Sequence, residues 1–218
     1  MESKDLPANI AQESFTTIRA ELSAAGYRFA PPMAALVERV IHSTADFEFA
    51  AITRASPGAI EAGLRALRDG RPILADVQMV RIGISAARVA ALGGSLHCLV
   101  ADAETRARAE AAGQTRSAIG VRRAAEQGLL DGAVVAIGNA PTALYEVIRL
   151  VGAGLRPALV VGVPVGFVNT IESKAALMEL DAVPWVVTVG RKGGSPVAVA
   201  VVNALLRLAI GAGAAEVD

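Results

Sequence analysis

The sequence is poor in the residue types that most enzyme chemistry draws on. Its 218 residues include one cysteine, Cys98, two histidines, His42 and His97, and only 4% aromatic residues. A lone cysteine cannot close an internal disulfide, and no grouping of His, Cys, Asp and Glu has metal-ligand spacing. No GxGxxG follows an apolar run and no Walker loop is present, so no nucleotide cofactor is expected. Gly190-Arg-Lys-Gly-Gly-Ser195 has the composition of a phosphate cradle without its spacing, and a serine nucleophile elbow is missing. Lysine plus arginine and aspartate plus glutamate each number 21, so no global field draws the chain to nucleic acid or an anionic membrane. The first residues have no apolar signal core. The apolar run from Val197 to Ile210 is too short to span a bilayer and is interrupted by Asn203 and Arg207. These absences favour a cytoplasmic protein that uses neither metal, cofactor, membrane nor nucleic acid.

What is present is an alternation of buried strands and helices. Apolar residues make up 53% of the chain, with 21 glycines, which suits an α/β protein of one domain spanning residues 1–218. The clearest unit runs from Ala133 to Val151. An unbroken apolar strand ends at Gly138-Asn-Ala-Pro-Thr142, and Leu144, Val147, Ile148 and Val151 then follow at helical spacing. The same construction recurs from Pro157, where the strand leads through Gly162 to Asn169, Glu172, Ser173 and Lys174 and then a helix. It recurs again from Pro184, where Gly190 to Ser195 precedes a buried helix from Pro196 to about Ile210, placed against the sheet and a partner subunit. Two earlier strands are expected near 73–77 and 96–100, giving about five strands in a mainly parallel sheet. The predicted fold is a three-layer α/β/α sandwich with a helical N-terminal segment.

In that segment, residues 7–24 form one predicted helix with Ile10, Phe15, Ile18 and Leu22 as its apolar stripe. A second helix runs from about Met33 and carries Arg39 and His42 near its end. A third begins with Ser56 as cap and Pro57 at its first position. Further helices are expected over 105–112 and about 118–127.

Parallel strand–turn–helix units open their turns on one edge, where open α/β sheets bind ligands. That edge would gather Asn139, Thr142, Asn169, Ser173, Lys174, Arg191, Lys192 and Ser195 as a net basic rim. Asn139 and Thr142 would sit beside the free N–H groups of a helix start. His97, between Leu96 and Cys98, reads as a buried structural residue. His42 lies where the negative end of a helix dipole favours the protonated imidazole. Two readings of it stand: a cap for its helix, or a general acid. Arg19, Arg39, Arg81, Arg116, Lys174 and Arg191 complete an inventory suited to a substrate with several carboxylates.

These residues fall in segments that together resemble the precorrin-8X methylmutase family, cobalt-precorrin-8 methylmutases included. The segments are Ser14-Phe-Thr-Thr-Ile-Arg19, Arg39-Val-Ile-His42, Pro72-Ile-Leu-Ala-Asp76 with Met79-Val80, Gly113-Gln-Thr-Arg-Ser-Ala118, Val135 to Leu144, Pro164-Val-Gly-Phe-Val168 with Glu172-Ser-Lys174, and Gly190 to Ser195. The resemblance implies an α/β homodimer of cobalamin biosynthesis that takes precorrin-8X or cobalt-precorrin-8 and moves a methyl group from carbon 11 to carbon 12. The product is hydrogenobyrinic acid or its cobalt form. It also implies His42 as the catalytic proton donor to the ring C nitrogen. Ser14, Arg39, Thr115, Arg116, Asn139, Lys174 and Arg191 are then candidate contacts to the substrate's carboxylate arms, for which bidentate arginine pairing is suited. A non-catalytic tetrapyrrole carrier on the same scaffold is the alternative. Ser43-Thr-Ala-Asp46, Val77-Gln-Met79 and Arg81 to Arg88 depart from the family pattern and leave the metal preference open.

Overall fold

The computed structural model describes residues 7–211, with side-chain surroundings from residue 10 onward. Its sheet has six strands: β1 (Thr53–Ala55), β2 (Ile73–Ala75), β3 (Leu96–His97), β4 (Val134–Ile137), β5 (Leu159–Gly162) and β6 (Trp185–Thr188), in the order β1-β6-β5-β4-β2-β3. All neighbours are parallel except β1, which pairs antiparallel with β6 through Thr53 opposite Thr188. β1 is the strand the sequence pattern does not reveal. Three residues with an exposed arginine in the middle carry no apolar run, and the strand exists because β6 offers it an edge.

The helices are α1 (Pro7–Ala24), α2 (Pro31–Thr44), α3 (Glu48–Ile52), α4 (Ala59–Arg68), α5 (Gln78–Gly83), α6 (Ala86–Ala91), α7 (Ala103–Ala112), α8 (Arg116–Glu126), α9 (Pro141–Gly152), α10 (Thr170–Met178) and α11 (Ser195–Ile210). Successive side chains of each strand enter opposite helical layers. On β4, Val134 and Ala136 join the core beneath α2, α4 and α11, while Val135 and Ile137 join the core beneath α8 and α9. The three-layer α/β/α expectation therefore holds.

Local departures have local causes. Helix α4 starts at Ala59 behind Gly58, whose φ of 72° suits glycine, and Ser56 is not its cap. The Ser56 hydroxyl instead accepts from the Trp185 N–H at 2.9 Å. Ile10 is 54% exposed, outside the stripe of Phe15, Ile18 and Leu22. His97 is half-buried, because β3 is an edge strand, and its Nε2 lies 2.8 Å from Ser95 Oγ. Helix α11 is buried against α2, α4 and α5 of its own chain.

Candidate functional site

Chain order reverses between β2 and β4, since β3 runs outward beyond β2 before the chain returns to β4. Such a switch point opens a crevice at the carboxyl ends of the strands. Here its floor is occupied by Asp76, which follows β2 and is 2% exposed. Its Oδ1 accepts from the Gly138 N–H at 3.0 Å, and its Oδ2 accepts from Asn139 and Ala140 at 2.8 Å each. Burial pushes the Asp76 carboxyl above the usual range, against the opposing pull of these donors. The expected free N–H groups of this turn are thus not open to a ligand, because the neighbouring strand supplies their anion. Gly138 cannot be larger: a Cβ there would stand 2.8 Å from Val80 Cγ2 and 2.9 Å from Ser195 Cα. Asn139 remains exposed above this floor.

His42 reaches the same edge from outside the sheet. Helix α2 ends at Thr44, and the following Asp46 and Glu48 accept ion pairs from Lys192, just past β6, at 2.5 and 2.8 Å. The His42 ring stacks on Phe15 of α1 with centroids 4.8 Å apart and planes 10° from parallel. Arg39, one turn earlier on the same helix face, holds its guanidinium 4.9 Å from the same ring. Phe15 is itself 1% exposed, a fixed platform on which both polar groups rest. Ser14, Ile41, His42 and Phe47 line an open cleft of about 490 Å³. Ser14 also donates from Oγ to the Ile10 carbonyl at 2.8 Å. The His42 pKa is lowered, first by partial desolvation and then by the Arg39 charge. This reverses the expectation from the helix dipole: a dipole end is screened in solvent, whereas the imidazole is partly desolvated and Arg39 stands beside it.

The remaining candidates separate. Thr115 caps α8 by accepting from Ala118 N–H at 3.3 Å, and its hydroxyl lies 2.7 Å from that of Thr142 at the start of α9. Both threonines line a second cleft of about 520 Å³ with Tyr145 and the Arg122–Glu146–Arg149 ion-pair cluster, which sequence reasoning had missed. Arg116 is exposed beside it. Arg191 is exposed, its guanidinium 5.4 Å over the ring of Phe167. Ser173, Lys174 and Ser195 are not rim residues but buried ones, at 0%, 1% and 6% exposure. The reason is that α10 begins at Thr170, before Ser173 and Lys174, and α11 begins at Ser195. Their side chains therefore belong to helix faces turned to the sheet. Arg19 is paired with the buried Glu38 at 2.9 Å and joins α1 to α2.

Between these polar groups the edge is apolar. Phe167, Val168, Ile82 and Met79 are 84%, 76%, 76% and 67% exposed. The loop after β5 is locked to the loop after β6 by Gly194 N–H donating to the Val163 carbonyl at 2.8 Å and Gly166 N–H to the Arg191 carbonyl at 3.3 Å. Gly193 has to be glycine, since a Cβ would lie 2.3 Å from the Val163 oxygen. No helix among the described residues is long and apolar enough to cross a membrane, and none of their His, Cys, Asp and Glu groups could hold a metal ion.

A family model described as precorrin-8X methylmutase matches residues 9–208. A cobalt-precorrin-8 methylmutase of Leptospira interrogans is 40% identical over 94% of this chain and 94% of its own length. A precorrin-8X methylmutase of Pseudomonas aeruginosa is 42% identical, over 90% and 93% respectively. The crystal structure of a precorrin-8X methyl mutase from Thermus thermophilus superimposes with a TM-score of 0.86 at 48% identity, covering 93% of this chain and 96% of that one.

Proposed function

Because the chain belongs to the precorrin-8X methylmutase family, we propose that it isomerises precorrin-8X or cobalt-precorrin-8 with His42 as the acid. The bond from carbon 11 to the methyl group breaks as the bond to carbon 12 forms, so the reaction consumes no electron and no net proton. A proton lent to the ring C nitrogen makes the conjugated system more electron-poor, lowers the barrier, and returns afterwards. The observation that carries this reading is the stacked Phe15–His42 pair with Arg39 over the same ring, His42 itself lining an open cleft. The exposed apolar residues at the carboxyl edge suit the macrocycle or a second subunit of a homodimer. Ser14, Arg39, Thr115, Arg116, Asn139 and Arg191 are the proposed contacts to the acidic arms. Lys174, with its ammonium turned inward, is not assigned one. The reading places the protein in the cytoplasm, where its substrate would be made.

The lowered pKa of His42 has a consequence for catalysis. In the free protein the imidazole is neutral at neutral pH, which is the wrong form for an acid. Desolvation is the larger cause of that lowering and the Arg39 charge the smaller; a substrate carboxylate that pairs with Arg39 offsets the second and sets a negative charge beside the imidazole, so binding favours the protonated form. The pH profile of kcat/KM, which reports the free enzyme, should fall as pH rises through a midpoint below 6.5, the ordinary histidine value. The corresponding limb of kcat, which reports the complex, should lie at higher pH. Steady-state turnover followed by visible absorbance tests both the activity and the profile. Absence of turnover with either substrate form would sink the functional reading, and coincident limbs would sink the binding-loaded proton.

A further inference from the structure

Lys174 is 1% exposed, and an ammonium at that depth is costly unless its donors are satisfied. It donates to the carbonyls of Gly190 at 3.0 Å and Lys192 at 2.7 Å, and to Thr188 Oγ1 at 3.3 Å. Burial still lowers its pKa to about 8, so the charge is carried at a cost that an apolar side chain of similar length would avoid. What that cost secures is visible in the acceptors. Two are backbone carbonyls of the loop after β6, one on each side of Arg191. The Thr188 hydroxyl grips the same Lys192 carbonyl at 2.8 Å, and Gly166 N–H holds the carbonyl of Arg191 itself. From this pinned backbone, Arg191 extends over Phe167 and the Lys192 side chain reaches back to Asp46 and Glu48, shortly after His42.

We propose that Lys174 is a positioning residue of the methyl shift: its buried ammonium fixes the Gly190–Lys192 backbone so that Arg191 meets an acidic arm of the substrate. The inference rests on the methylmutase reading above. A lysine that fixes a binding loop affects affinity through that loop and leaves the chemical step alone. A lysine that merely stabilises the fold lowers the amount of active protein without moving KM.

The test compares wild type, K174M, R191A and K174M/R191A in steady-state turnover and in absorbance titration with hydrogenobyrinic acid. K174M is expected to raise KM and the product Kd about tenfold with kcat within about threefold, the pattern of lost uniform binding. The double variant is expected to bind no more than about twofold worse than R191A, since both changes remove the same contact. An unchanged KM in either single variant, or losses that multiply in the double, would overturn the proposal. Should K174M not fold, T188V removes one grip on the Lys192 carbonyl and is expected to raise KM in the same direction; an unchanged KM there overturns the proposal equally. Wild-type protein without turnover would sink the methylmutase reading and this proposal together, whereas an active wild type with an unaffected K174M sinks only the role of the loop.

Discussion

Replacing His42 by alanine is expected to lower turnover by about 10²–10⁴-fold, the usual worth of a general acid, with product affinity held within about threefold. The separation follows from where His42 sits. It is exposed at the last turn of α2, so truncation opens no cavity, and loss of its stacking on Phe15 costs about 0.5–1.5 kcal/mol of stability. The platform beneath it, Phe15, stays in place, packed at 1% exposure. Arg39 keeps its position over the same ring and with it the contact proposed for an acidic arm. What is lost is a proton donor and nothing else that binding needs. His42→Gln sharpens the test, because glutamine can hydrogen-bond to a ring nitrogen but cannot transfer a proton at neutral pH. The checks are turnover by absorbance and a titration with hydrogenobyrinic acid. A variant within tenfold of wild-type turnover would show that orientation in the pocket suffices for the rearrangement.

The sequence makes the sheet legible where strands are buried on both faces and hides what depends on distant neighbours. The β4–α9 unit appears within a residue of its expected bounds, Val134–Ile137 and Pro141–Gly152, because an unbroken apolar run followed by Pro and helical spacing allows little else. β1 is invisible because it owes its existence to β6, more than a hundred residues later. Lys174 reads as a rim residue open to substrate for the same reason: its acceptors lie at the end of the next strand and just past it. The family segments draw attention to His42 and Arg39, and their spacing of three residues on a helix already places the cation beside the imidazole. The helix dipole is outweighed first by partial desolvation of the imidazole and then by that nearer charge. Phe15, read only as part of an apolar stripe, turns out to support both groups. A small aromatic complement makes such a ring conspicuous, and its place between Ser14 and Arg19 was the available signal.

The largest expected effect on the fold belongs to Asp76→Ala. The carboxylate satisfies the N–H groups of Gly138, Asn139 and Ala140 at the point where the sheet changes direction. The buried Gly138 N–H left unpaired costs about 1–3 kcal/mol, and the part-buried Asn139 and Ala140 N–H groups, which water can reach, add less, so the loss should come to roughly 2–4 kcal/mol. Water has little room at Gly138, which admits no Cβ. Asp76→Asn is expected to fall between: its carbonyl oxygen can serve Asn139 and Ala140, while its amide nitrogen would face the Gly138 N–H, donor against donor. Urea unfolding measures both, and the midpoint should shift with little change in slope. The consequence for binding follows from the same geometry. Asn139 is displayed by backbone that Asp76 holds, so variants that still fold should lose affinity for the corrinoid along with stability. If Asp76→Ala unfolds at the wild-type urea concentration, the turn supports itself through Pro141 and the start of α9, and the carboxylate is not what anchors it.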